Sequence, residues 1–116
     1  MSHDFSVVVT DSAKAGAKVV ALNGELDEMS VESLKGYIDP LLSDASATEI
    51  ILDFTNLEFI NSKGIGYIVS IHTHLAKDGR SMKICGANEA VMDVISLVGL
   101  TTIIPYFNNV EEAQAA

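Results

Sequence analysis

Residues 49–77 read Glu49-Ile-Ile-Leu-Asp53-Phe54-Thr-Asn-Leu-Glu-Phe-Ile-Asn61-Ser62-Lys63-Gly64-Ile65-Gly66-Tyr-Ile-Val-Ser-Ile-His72-Thr-His74-Leu-Ala-Lys77. The run Glu49–Phe54 is continuously apolar and β-branched but for its acids, the pattern of a strand covered on both faces. From Ser62 to Lys77 the apolar residues Ile65, Ile68, Ile71 (or His72) and Leu75 recur along one helical face, and Gly79 stands where a left-handed C′ residue is wanted. A buried strand leading directly into an amphipathic helix is half of a parallel crossover.

The flanks repeat the theme. Downstream, Ser81–Cys85 reads as a strand with Gly86-Ala-Asn88 as its exit. Glu89–Val98 reads as a helix with Val91, Val94, Ile95 and Val98 as its stripe and Gly99 after its end. Thr102–Ile104 is expected as a last short strand stopped by Pro105, and Asn109 caps a terminal helix running to Ala113. Upstream, Phe5–Val9 and Ala17–Leu22 form an antiparallel pair around the small-residue turn Asp11–Gly16, and Asn23-Gly24 ends the second strand. A helix follows from Ser30, its N-cap, to Ser43. Val31, Leu34, Ile38 and Leu41 form its apolar stripe, and Pro40 conflicts with its last turns. Alternating strands and helices after an antiparallel opening predict an α/β fold. One domain over residues 1–116 has a mixed sheet of about five strands and about four helices.

Composition narrows the function classes. With 7 Lys+Arg against 16 Asp+Glu and a formal charge of −9, the surface repels phosphodiester backbones and anionic membranes. Nucleic acid and membrane are therefore not expected partners. No apolar run approaches the ~20 residues of a membrane span. Met1-Ser2-His3-Asp4 does not read as a secretory signal, and the single cysteine, Cys85, fits a reducing cytoplasm.

In parallel sheets, functional groups collect where strand ends feed helix N-termini. Ser62 falls at such a start, where unpaired amides and the helix dipole favour a phosphate, and Lys63 adds a cation. Gly64 and Gly66 keep the first turn small enough for a partner surface to approach. On spacing alone Ser62 is first of all an N-cap and the glycines are packing devices. Other chemistry is poorly served. His72 and His74, two apart on a helix, point to different faces and make a poor metal pair. His3 lies in an expected frayed terminus, and Cys85 has no base near it in sequence. Gly64-Ile-Gly66 lacks the third glycine and the ribose-binding acid of a dinucleotide site. The acids Glu25, Asp27, Glu28, Glu111 and Glu112 read as helix-end and solvated charges, so no catalysis, metal or cofactor is expected. Asp53, closing a buried strand, invites comparison with a phosphorylated receiver aspartate. The acidic pair and the lysine that a receiver needs are missing, and a loop-stabilising acceptor is the simpler role.

The stretch Leu52–Gly66 resembles the signature segment of STAS domains, in particular the stand-alone anti-sigma-factor antagonists. There, a strand ending in Asp leads through a short apolar loop to Asp-Ser-Ser/Thr-Gly-Leu-Gly at a helix start. Leu22-Asn-Gly24-Glu25-Leu26-Asp27-Glu-Met-Ser30 is similar to the family's Gly-Glu-Leu-Asp-x-x-Thr, and Gly86–Leu100 resembles its third helix. The resemblance implies a partner-switching regulator. The unphosphorylated form binds a GHKL-type serine kinase/anti-sigma factor and frees its target. Phosphorylation of Ser62 switches it off, and a PP2C-type phosphatase resets it. Carried onto this chain, the binding surface comprises Glu25, Asp27, Ser30, Asn61, Ser62, Lys63, Gly64 and Gly66, and no cofactor or oligomeric state is implied. Two residues depart from the pattern: Asn61 replaces the acid before the serine, and Lys63 replaces the Ser or Thr after it. They leave open a second reading, a never-phosphorylated STAS scaffold module of a transporter or signalling complex.

Overall fold

The computed structural model describes residues 5–116, and His3 lies outside the described residues. Five strands stand side by side in chain order: β1 (Ser6–Asp11), β2 (Ala17–Leu26), β3 (Glu49–Ile60), β4 (Ser81–Cys85) and β5 (Tyr106–Phe107). β1 is antiparallel to β2, and every later pairing is parallel. The helices are α1 (Glu28–Leu42), α2 (Ser62–Lys77), α3 (Glu89–Leu97), α4 (Leu100–Ile103) and α5 (Val110–Ala115). The α/β class and the five-stranded mixed sheet are as expected, with five helices among the described residues where about four were anticipated.

Alternation along β3 sorts the core into two layers. Ile50, Leu52 and Phe54 face one side, where Leu34 and Ile38 of α1, Ile68, Ile71 and Leu75 of α2, Ile95 of α3 and Leu100 of α4 cover them. Ile51 faces the other side with Val19 and Cys85, beneath Ala113 and Val110 of α5. Each fully buried aliphatic or Phe side chain contributes about 1.5–3 kcal/mol. In the first half of β3 that second face carries Glu49 and Asp53 on either side of Ile51.

Several boundaries differ from expectation. β1 begins at Ser6 and takes in Asp11, which pairs with Lys18 instead of opening the turn. β2 runs straight through Asn23-Gly24 to Leu26. The register shifts there, and Gly24 at φ +100° supplies the backbone freedom. β3 continues from Phe54 to Ile60, so Asp53 sits in mid-strand and the expected apolar loop is itself strand. α1 starts at Glu28 and ends at Leu42, with Pro40 tolerated in its last turn. Thr102–Ile104 is not a strand. Gly99 at φ +77° ends α3, and Leu100 and Ile104, four apart, are buried together as a helical turn, with Ile104 N donating to Leu100 O at 2.9 Å. The last strand comes after Pro105.

Two buried cations pin the end of the sheet remote from the α1 and α2 N-termini. Arg80 donates to the carbonyls of Leu41 (3.2 Å), Leu42 (2.7 Å), Asp44 (3.1 Å) and Ala47 (3.3 Å) and to the Asp78 carboxylate (2.8 Å). It thereby closes the C-terminus of α1. Lys83 pairs with Glu49 at 3.1 Å and donates to Ala113 O at 2.9 Å, tying α5 to β4.

Candidate functional site

β2 and β3 run parallel with Leu26 level with Ile60, so the chain leaves both at one end of the sheet and turns at once into α1 and α2. Two helix N-termini therefore lie side by side. Asp27 caps α1. Its Oδ1 accepts from Met29 N (3.0 Å) and Ser30 N (3.1 Å), while Ser30 Oγ accepts from Asp27 N (2.8 Å) and donates to Glu25 O (2.6 Å). This is a complete capping box with serine in the N3 place. The backbone amide of Ser30, helped by Met29 N–H, holds the Asp27 carboxyl below the usual range.

Asn61 caps α2, its Oδ1 accepting from Gly64 N at 3.1 Å. Its backbone N–H donates to Leu26 O at 3.1 Å, and its Nδ2 donates to Glu28 Oε2 at 3.2 Å. One residue thus ties the end of β2, the first residue of α1 and the first turn of α2 together. The amides of Ser62 and Lys63 precede the first intrahelical bond of α2 and give this corner its positive dipole end.

Ser62 is the first residue of α2 and not its cap, which corrects the reading from spacing. It is exposed, and among the described residues its hydroxyl makes no hydrogen bond. Lys63 beside it is exposed and, among the described residues, forms no ion pair. Gly64 is buried: a Cβ there would stand 2.9 Å from both Leu26 Cγ and Leu26 O. Gly66 is exposed with nothing within 4 Å of such a Cβ.

The rim therefore presents Glu25, Asp27, Asn61, Ser62, Lys63 and Gly66. Ser30 and Gly64 face inward and position the others. Three residues were missed. Glu28 holds Asn61, Met29 in the first turn of α1 is 83% exposed, and Phe59, level with Glu25, is 48% exposed. Phe59 carried a faint signal, because it and Glu58 interrupt the apolar alternation between Leu57 and Ile60.

The rival groups are placed elsewhere. Asp53 Oδ1 accepts from Thr55 N (3.0 Å) and Thr55 Oγ1 (2.6 Å), the bonding of a structural acceptor. The sheet order also differs from the flavodoxin-like order, in which the first strand lies inside the sheet, so the receiver reading fails on topology. Cys85 is fully buried, and burial first, then the Asp53 carboxylate, push its thiol up to about 12, leaving it inert at neutral pH. Among the described residues no three His, Cys, Asp or Glu side chains gather as a metal site, and no helix is long and apolar enough to cross a membrane.

Comparison with known proteins gives one answer. The STAS domain family model matches residues 6–113. An anti-sigma F factor antagonist from Paenibacillus polymyxa is 29% identical over 94 residues, covering 81% of this chain and 80% of that protein. An anti-sigma factor antagonist from Mycobacterium paratuberculosis superposes with a TM-score of 0.88 at 22% identity, over 99% of this chain and 97% of that one. The Bacillus cell fate determinant SpoIIAA in its phosphorylated form gives 0.71 at 21% identity, over 97% and 98%. With its strand order, its twin capped helix starts and this match along nearly its whole length, the chain belongs to the STAS domain family.

Proposed function

We propose that this protein is a cytoplasmic, non-enzymatic partner-switching regulator, an anti-sigma-factor antagonist whose switch is Ser62. The observation that carries the reading is the free, exposed hydroxyl of Ser62 at the first position of α2, with the capping role taken by Asn61. A relative named as an anti-sigma F factor antagonist and one solved in a phosphorylated form support the same reading.

The unphosphorylated rim docks on a GHKL-type serine kinase/anti-sigma factor. That kinase moves the γ-phosphoryl group of ATP onto Ser62 Oγ, releasing ADP and the hydroxyl proton. A PP2C-type phosphatase hydrolyses the ester and returns inorganic phosphate. The ester adds about −1.5 to −2 charges beside Asp27 and Glu28. Within the chain the phosphate is tolerated, because the α2 amides and Lys63 face it. At a docked interface it must be desolvated next to two carboxylates, so binding is lost without refolding.

Pull-down from the host with ATP tests this. Ser62→Ala is expected to retain the kinase and Ser62→Asp to lose it, with a phosphatase-sensitive shift of the wild-type protein on a phosphate-affinity gel. Equal recovery by both variants and no shifted band would overturn the switch and leave the scaffold reading.

A further inference from the structure

We propose that the exposed face of α2 is a docking stripe for an acidic patch on the partner protein, gripped at its two ends by Lys63 and Lys77. The inference rests on the Ser62 reading for which partner that is. The chain carries 16 Asp+Glu against 7 Lys+Arg. Carboxylates stand on α1, α3 and α5, yet the 16 residues of α2 hold none, while they hold two lysines and two histidines. Five of the seven cations are ion-paired, with Asp11, Glu32, Glu49 or Asp78. Among the described residues, the two that form no ion pair are Lys63 and Lys77.

Both lie on one face. Helical spacing puts Lys63 and Lys77 about 21 Å apart along α2 and about 40° apart around it. Ser70 and His74 fall between them, and all four are exposed. A depression lined by Ser70, Thr73, His74, Lys77 and Asp78 marks the far end. Acids return at the borders: Asp78, held by Arg80 at 2.8 Å, and Glu32 and Asp39 of α1, which act on Tyr67. Lys77 suits the C-terminal end of the helix dipole. Lys63 opposes the N-terminal end, so helix stability does not account for it.

Charge and position choose the occupant. Cations with no carboxylate of their own fit carboxylates brought by another surface. Nucleic acid and anionic membrane present extended negative fields, which a chain of net charge −9 repels, and a second copy carries that same charge. A local acidic patch on a folded partner meets neither obstacle. The stripe begins beside Ser62, so it continues the rim. A standard interface covers about 800 Å² of each partner, a disc about 32 Å across, wide enough to take in Ser62 and Lys77 together. The partner is thus two-toned, basic over Glu25, Asp27 and Glu28 and acidic along α2. Phosphorylation then acts on the stripe as well. The ester carries about −1.5 to −2 charges, which exceeds the single charge of Lys63 and turns the head of the stripe negative. Against an acidic patch, Lys63 therefore sharpens the switch.

The test uses the partner recovered on Ser62→Ala from the host, identified and purified, with surface plasmon resonance across a salt series. Lys77→Glu in the Ser62→Ala background is the decisive variant, because Lys77 lies far from the phosphosite. Its association rate should fall about threefold to tenfold at low salt and converge on the parent's at high salt. Lys77→Gln should show about half that loss on a logarithmic scale. Lys18→Glu makes the same change in net charge on β2 and should change the rate far less. Circular dichroism melts check that the variants fold. Independently, mass spectrometry after brief acylation should find Lys63 and Lys77 shielded in the complex and Lys18 still reactive. A folded Lys77→Glu that binds like its parent at every salt concentration overturns the stripe, as does a Lys77 that stays fully reactive in the complex. In either case loss of binding by Ser62→Asp would leave the switch standing. Equal recovery by Ser62→Ala and Ser62→Asp fails the switch instead and leaves the Lys77 comparison to decide the stripe. A host pull-down that yields no partner overturns both. Shielding of Lys77 that grows with the concentration of this chain alone assigns the face to a second copy and overturns the proposal.

Discussion

Two glycines of the α2 start, two residues apart, make a matched pair of experiments. Replacing a helical glycine with alanine gains about 0.8–1.0 kcal/mol of helix propensity when space allows. At Gly66 space allows it, with nothing within 4 Å of a new Cβ. Gly66→Ala is expected to stabilise the fold by about 0.5–1 kcal/mol. At Gly64 the new Cβ meets Leu26 Cγ and Leu26 O at 2.9 Å and Ile60 Cγ1 at 3.0 Å. Ordinary carbon contacts lie near ~3.5–4.0 Å. The carbonyl cannot simply give way, because it accepts from Asn61 N at 3.1 Å. Overpacking of this kind costs about 1–3 kcal/mol, which exceeds the propensity gain. Gly64→Ala should therefore lose about 1 kcal/mol net, and the two variants should differ by about 1–3 kcal/mol. Urea unfolding followed by far-UV circular dichroism measures both, the chain having no tryptophan. A Gly64→Ala midpoint at or above that of Gly66→Ala would refute the close approach of α2 to β2. The same pair separates fold from docking: Gly66→Ala should weaken kinase recovery while raising stability, if a partner backbone passes over that turn.

Three further outcomes follow from the pinned end and the caps. Arg80→Met strips donors from four main-chain carbonyls and should destabilise by about 2–4 kcal/mol, and Arg80→Lys should not rescue it, since one ammonium cannot span that fan; chemical denaturation reads both. Lys83→Met leaves the buried Glu49 carboxylate with only the longer Lys14 pair (3.5 Å) and the Ser81 hydroxyl (2.9 Å), so it should destabilise by less than the about 3–5 kcal/mol of a fully unpaired buried charge, and adding Glu49→Leu should recover most of the loss, as thermal melts of single and double variants would show. Asp27, whose carboxyl is lowered by its capping bonds, contributes stability that is fully present above the unfolded carboxylate value of ~3.9 and is lost as pH falls through the lower folded value. Protection factors of the Met29 and Ser30 amides, taken against the intrinsic exchange rate at each pH, should therefore fall below about pH 4 in wild type and not in Asp27→Asn, which keeps the acceptor without the titration.

The elements with a full apolar period were legible. The core strand from Glu49, the helix from Ser62 to Lys77, β4 and α3 all stand where their stripes put them. What failed were short segments whose state depends on distant partners. Thr102–Ile104 is apolar and β-branched, yet Leu100 and Ile104 find a common hydrophobic pocket only as a helical turn. Asn23-Gly24 reads as a strand end, yet pairing with Asn56 and Leu57 carries β2 through it with an irregular register. Both are cases of tertiary contact overriding a local preference of a few tenths of a kcal/mol to ~1 kcal/mol. Arg80 and Lys83 gave no signal at all, since the carbonyls they bind are brought together only by the fold.

The candidate site was legible in its location and misread in its roles, and the misreading matters for the chemistry. Asn, Asp, Ser and Thr all cap helices, so Asn61-Ser62 and Asp27-Glu-Met-Ser30 each offer two candidates, and sequence spacing does not choose. In both loops the first residue takes the cap. At α1 this draws Ser30 into the capping box, where its hydroxyl bonds both Asp27 N and Glu25 O and is closed to any kinase. At α2 the cap bond is made by the Asn61 side chain, and among the described residues nothing engages the Ser62 hydroxyl. Asn61, the residue that departs from the family's acid, serves this arrangement twice. Its Oδ1 caps, and its Nδ2 donates to Glu28, whereas an aspartate there would set two carboxylates 3.2 Å apart. Asn61→Asp is thus expected to keep the cap but break the bond to α1, loosening the first turn of α1 in amide exchange while leaving Ser62 exposed. Unchanged protection at Glu28–Ser30 in that variant would show that the Asn61–Glu28 bond does not couple the two helix starts.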